Sequence, residues 1–283
     1  MEAPLPARQF FMLSISLFLS MQETAVSAAE REVVTEDMKL YSSVPFGQTP
    51  ANGFIYLNNT FGRGNLVNGL DYIQRLVAVP ATFPIDATIE WDWKGGPCSG
   101  CGAFAYSYPV INYGGSNYDN PFHVIGPWPQ QIERNSVLKV TYDVILNGNL
   151  DSYDTLLDIF VTAEPTSENG DYVAEISFFP QSNNAPLLGR PHEFSFGTAY
   201  VGSQGTPPQI CISPVIENKR RNILSGTIDL NEILRHLVAT GHLSGKEWLR
   251  GVQFGVEVQV PAKYNSPPYR GSMTINNLAY EWK

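Results

Sequence analysis

From about Glu32 onward the chain is written in short segments where apolar and polar residues alternate, broken by Gly, Pro, Asn and Ser before any segment grows long. A period of two belongs to a strand with one face in a core and the other toward solvent or a ligand. Ala87–Trp93, Val137–Ile145, Leu156–Val161, Tyr172–Phe179 and Gly251–Val260 have the period or the composition of strands. One stretch breaks the rule. Leu230, Ile233, Leu234, Leu237 and Val238 recur at helical spacing, with Asp229 placed to cap the start, Glu232 three residues on as in a capping box, and Gly241 to end it. A lone amphipathic helix late in a strand-rich chain must cover the outside of a sheet. The predicted class is therefore all-β, two stacked antiparallel sheets with one helix on the convex side.

The alternation also sorts the acids. In Val252–Val260 the even-numbered positions are all apolar, and the odd ones place Gln253, Gly255, Glu257 and Gln259 on the other face. Gly255 leaves room beside Glu257. Ala174–Phe179 repeats the design: Glu175, Ser177 and Phe179 point away from Ala174, Ile176 and Phe178. In Leu156–Val161 the core takes Leu157, Ile159 and Val161, which leaves Asp158 between Leu156 and Phe160. An acid so enclosed is poorly solvated, its pKa rises, and it becomes a proton-sharing partner for a nearby carboxylate. Taken singly, each of these acids also fits the polar face of an ordinary strand. Periodicity alone does not place the three together.

Composition narrows the function. Of 283 residues only 16% are charged and 12% are aromatic, with 24 Gly and 21 Pro, as many short strands and turns require. The net charge of −9, with no basic cluster beyond Lys219-Arg220-Arg221, excludes a nucleic-acid partner; that triplet reads as a solvated loop. Arg8, the apolar run 10–19 and the small residues Ala25-Val26-Ser27-Ala28-Ala29 have the layout of a cleaved signal peptide, too short to span a bilayer. Residues 1–28 are thus expected to be the signal and 29–283 one domain, secreted or periplasmic and free of the membrane after cleavage. In that oxidising setting Cys98 and Cys101, in a Gly- and Pro-rich turn with no following helix, read as a local disulfide rather than a redox or zinc pair. Cys211, between Ile210 and Ile212, is expected to be buried.

Several motifs in fixed order resemble glycoside hydrolase family 12, the small jelly-roll endoglucanases and xyloglucanases. Asn58-Asn59-Thr60-Phe61-Gly62 is similar to an early Asn-Asn-x-Trp-Gly motif, and Trp91-Asp92-Trp93-Lys94-Gly95-Gly96 with Tyr106-Ser107-Tyr108-Pro109 to the aromatic strand and the segment after it. Asp158-Ile159-Phe160, Glu175-Ile176 and Gly197-Thr198-Ala199-Tyr200-Val201-Gly202 follow, and Gln253-Phe254-Gly255-Val256-Glu257 resembles the acid/base strand. The resemblance implies a jelly roll with a concave substrate cleft, Glu175 as nucleophile, Glu257 as acid/base, and Asp158 assisting Glu175. Retaining enzymes hold their two carboxyl groups ~5–5.5 Å apart. It further implies substrate contacts from Asn59, Phe61, Trp91, Trp93, Tyr108, Trp128, Phe179 and Gln253, a β-glucan polysaccharide as substrate, a monomer, and no cofactor or metal. The chain departs from the pattern where Phe61, Ser177, Phe179, Val256 and Val258-Gln259 replace the family's residues, all at the border of the cleft. A non-catalytic carbohydrate-binding jelly roll and a glycosidase of altered linkage specificity remain the alternatives. Asn147-Gly148-Asn149 is read as lengthening a hairpin between Val140 and Asp158.

Overall fold

A computed structural model describes residues 40–94, 99–102, 105–114, 128–165, 172–183, 187–259 and 269–283. The expected signal peptide and Cys98 lie outside the described residues. Two sheets are stacked into a jelly roll. The smaller runs in the order β1 (Leu40–Ser42), β4 (Tyr72–Ala78), β5 (Ala87–Trp93), β19 (Tyr269–Trp282), β9 (Leu138–Gly148), β16 (Ser225–Asp229). The larger, of 13 strands, has the main order β12 (Arg190–Phe194), β13 (Gly197–Gln204), β14 (Gln209–Ile216), β11 (Ala174–Gln181), β10 (Tyr153–Thr162), β18 (Gly251–Gln259), β7 (Val110–Gly114), β3 (Phe54–Leu57), β2 (Gln48–Ala51). The short strands β6 (Ala105–Ser107), β8 (Gln130–Gln131), β15 (Lys219–Arg220) and β17 (Trp248–Leu249) attach to it. Named strands pair antiparallel except β11 with β14, which is parallel.

Each alternating segment became a strand, and its apolar face is where the pattern put it. In β5 the buried positions are Ala87, Ile89, Trp91 and Trp93. Leu157, Ile159 and Val161 of β10, Ile176 and Phe178 of β11, and Val252, Phe254, Val256 and Val258 of β18 join the same core between the sheets. All ten residues of β10 are buried, so both its faces are covered. That is the expected state of a central strand whose second face is also a site rather than open water.

The helix α1 (Leu230–Ala239) sinks Leu230, Ile233, Leu234 and Leu237 into the core, each such side chain contributing about 1.5–3 kcal/mol. His236 packs on His192 and Phe194 of β12. Those residues lie on the side of the larger sheet opposite Glu175, because His192 is level with Ala199, which is level with Pro214 on the core-facing side of β14. The helix therefore backs the sheet behind the acids, as expected. Asp229 Oδ1 accepts from the Glu232 amide at 3.2 Å, but the Glu232 carboxylate does not close a capping box. It accepts instead from the Ser195 amide and hydroxyl, tying helix to sheet. Gly241, at φ +77°, ends the helix, and His242 N–H donates to Leu237 O.

Two expectations change. Asn147-Gly148-Asn149 does not lengthen a hairpin, because β9 pairs with β19 and β16 whereas β10 pairs with β11 and β18. The segment crosses between sheets, with Gly148 at φ +105° pressed on the Arg270 carbonyl. Lys219 and Arg220 are strand, not loop, paired with Ile216 and Val215. Among the described residues no helix is long and apolar enough to cross a membrane.

Candidate active site

β10 is the ruler on which the site is built. On its outer face stand Asp154, Leu156, Asp158 and Phe160. On one side β11 sets Ser177 opposite Asp158 and Glu175 opposite Phe160. On the other, β18 sets Gln253 opposite Asp158, Gly255 opposite Leu156 and Glu257 opposite Asp154. Beyond them β14 adds Gln209 level with Glu175, and β7 adds Asn112 level with Gln253. Glu175 and Glu257 thus flank β10 on one face but at different heights along it. Asp158, between them along β10, feels the charge of both. The Tyr108 phenol, in the turn after β6, and the Cys211 thiol of β14 each feel the charges of Asp158, Glu175 and Glu257.

The floor under this group is apolar: Leu57, Tyr108, Val110, Leu156, Phe179 and Cys211 form a small cluster of their own, separate from the main core. Charges above such a floor are poorly solvated. Burial raises the pKa of Asp158 well above the usual carboxylate range, and Glu175 and Glu257 push it the same way, while the nearby Ser177 and Tyr108 hydroxyls oppose them. Glu175 is raised by burial too, against Ser177 and Gln209, whose Oγ and Nε2 donate to its Oε1 at 3.3 and 3.4 Å. Burial and the acids also push the Tyr108 phenol up, and hold Tyr172 and Cys211 at about 12.

Next to the acids lie polar atoms without hydrogen-bond partners: both amide atoms of Gln253, both of Asn112, and Asp158 Oδ1. Buried amides are rarely left so, and each such group costs about 1–3 kcal/mol. Their place on the acid face suits them to the hydroxyls of a ligand.

No family model matches the chain, and no curated protein sequence matches it significantly. Solved structures do. Endoglucanase 3 of Trichoderma harzianum, from glycoside hydrolase family 12, superposes with a TM-score of 0.66 at 13% identity, covering 88% of this chain and 100% of that one. A family 12 xyloglucanase of Bacillus licheniformis gives 0.62 at 19% identity, covering 86% and 100%. An endoglucanase of Rhodothermus marinus gives 0.64 at 13%, covering 86% and 99%. The fold is the family 12 jelly roll.

Within that jelly roll the expected site residues divide. Glu175, Glu257, Asp158, Gln253, Tyr108 and Phe179 come together on one face. Asn59 and Phe61 sit in the turn after β3, where Asn59 Oδ1 accepts from the Phe61 amide and Asn59 O from the Tyr108 amide; Asn59 is buried and holds the turn, whereas Phe61 is exposed. Three aromatics are misplaced by the expectation. Trp91 and Trp93, each 1% exposed, belong to the smaller sheet and pack in the core: Trp93 stacks between Tyr72 and Tyr106 at 4.0 and 4.7 Å, and Trp91 meets Tyr153 edge-on. Trp128 is also in the core, against Gly114 and Tyr113. No sugar ring reaches them there. Cys101 is disulfide-bonded, and Cys211 is free and buried as expected.

The sequence reading missed Asp154, Ser177, Gln209, Asn112, Tyr172 and Gln259 as members of the site. Asp154 had a signal. Its spacing of four from Asp158 puts it on the same face once β10 is started at Tyr153 rather than Leu156.

Proposed function

We propose that the chain is a divergent family 12 glycoside hydrolase: a secreted, monomeric endo-acting β-glucan hydrolase that retains configuration at the anomeric carbon. The observation that carries this reading is the group of three buried or half-buried acids on adjacent strands, converging on Tyr108 above an apolar floor. A module that only binds sugar has no use for such a costly group.

In the proposed reaction Glu175, ionised, attacks the anomeric carbon while Glu257 gives its proton to the leaving glycosidic oxygen. A glycosyl ester on Glu175 results. Water then attacks that carbon as Glu257 takes back a proton, and Glu175 leaves as carboxylate. Ser177 and Gln209 aim Glu175 and favour its charged form. Asp158, its pKa raised, carries a proton at working pH and so lies beside Glu175 without repelling it. Gln253 and Asn112 bond sugar hydroxyls, and Tyr108, Phe179 and Phe61 offer apolar surface to sugar rings.

The test is reducing-sugar release from barley β-glucan, carboxymethylcellulose, xyloglucan and laminarin by the wild type, Glu175→Gln and Glu257→Gln. At least one polymer should be cut, and each variant should lose roughly 10²–10⁴-fold in kcat with its fold intact. Near-full activity in either variant rejects the assignment. Binding without cleavage by the wild type establishes the carbohydrate-binding reading instead.

A further inference from the structure

We propose that Asp154 is the positioning residue of Glu257, holding its carboxyl through Gln259 and keeping it protonated by its own negative charge. The inference rests on the reading of Glu257 as the acid/base. Asp154 is opposite Glu257 in the β10–β18 ladder, on the same face, and only 3% exposed. The Gln259 side chain, two residues on from Glu257, spans the two. Its Nε2 donates to Asp154 Oδ2 at 2.7 Å and to Glu257 Oε2 at 3.3 Å. One amide nitrogen has two hydrogens, so both contacts can form at once.

The other half of the site repeats the device. Ser177, two residues on from Glu175, donates to that carboxylate and lies opposite Asp158. β10 thus supplies one aspartate for each glutamate, four residues apart, and the polar side chain two positions beyond each glutamate donates to it. The two halves differ in register, since Asp154 is opposite Glu257 itself whereas Asp158 is opposite Ser177, and in their donors. A hydroxyl and a second amide stabilise the charge on Glu175, whereas the shorter bond of Gln259 goes to Asp154 and the longer to Glu257. The shorter bond favours ionisation of Asp154 first. Glu257 then keeps its proton, as the protonating step requires. Among the described residues, the titratable groups facing Glu257 are Asp154 and Asp158 of β10, Glu175 of β11, Cys211 of β14 and Tyr108 in the turn after β6. None of these is a cation: Asp158, Cys211 and Tyr108 are neutral, and the negative charges of Asp154 and Glu175 favour the protonated form of Glu257.

The experiment titrates the Glu257 carboxyl carbon by 13C NMR in the full chain, with the signal assigned by its loss in Glu257→Gln. The wild type is compared with Asp154→Asn, where the new side-chain oxygen still accepts from Gln259. Asp154→Ser replaces it if the first variant does not fold. The Glu257 midpoint should fall by about one pH unit or more once the neighbouring charge is gone. The basic limb of kcat/KM should move down with it, while the acidic limb, set by Glu175, stays. A loss of fold quality alone would lower the rate at every pH without moving one limb. An unchanged Glu257 midpoint overturns the proposal. If the wild type cuts no glucan, the functional reading fails on its own, and the NMR midpoint still decides whether Asp154 acts on Glu257.

Discussion

Ser177 carries more of the chemistry than its size suggests, because its hydroxyl donates to Glu175 Oε1 and opposes the burial that raises the pKa of that carboxyl. Glu175 must be ionised to attack, so activity appears as pH rises through its pKa. Ser177→Ala removes a bond to the charged form, and the acidic limb of kcat/KM should move to higher pH, by up to about one unit. A pH–rate profile reads this directly; a limb that stays or moves down contradicts it. At this scale the acids were legible, because alternation fixes which face a strand residue occupies. Trp91, Trp93 and Trp128 were not. An inward-facing tryptophan and a cleft-facing one have the same neighbours in sequence, and only the pairing of β5 with β4 and β19 puts Trp91 and Trp93 in the core. Ser177 and Gln259 were passed over for the opposite reason: a polar residue on a polar face gives no signal until its cross-strand partner is known.

Helix α1 was readable in its stripe, its Asp229 cap and its terminating glycine, all of them local. The Asp229 side chain accepts one amide of the first turn, so Asp229→Ala should lower stability by about 1 kcal/mol. Urea unfolding checks it; the midpoint should fall with an unchanged slope, and an unchanged midpoint would mean that the cap contributes nothing. The Glu232 carboxylate was misassigned because the Ser195 hydroxyl that captures it comes from a loop 37 residues away. Non-local pairing also undid the hairpin reading. Gly148 looks like a turn glycine in either setting, but the strands on its two sides belong to different sheets. Strand identity is a local property, and strand partnership is not.

The whole molecule bears the cost of its site. Asp158 is buried with its pKa held well above the usual carboxylate range, so the folded state binds a proton that the unfolded chain has released. The sign follows: this group's favourable contribution is complete below about pH 4 and is lost as pH rises toward the folded-state pKa. Asp158→Asn should therefore raise stability at pH 7, by about 1–3 kcal/mol, with the gain vanishing near pH 4 and activity falling. Thermal melts across that range test it; a gain independent of pH would point to packing instead. The architecture was legible at this scale because motif order and helix position together select one stacking of two sheets, now matched at TM-scores of 0.62–0.66 despite 13–19% identity. The diagonal placement of Glu175 and Glu257 was not, since it comes from the register of β11 and β18 on β10. The central question is whether these two residues divide the labour as proposed. A 2-deoxy-2-fluoro cello-oligosaccharide with a good leaving group would slow the second step and trap the sugar on the nucleophile. Peptide mass spectrometry should find the label on Glu175; a label on Glu257 or Asp158, or turnover with no covalent intermediate, would contradict the assignment.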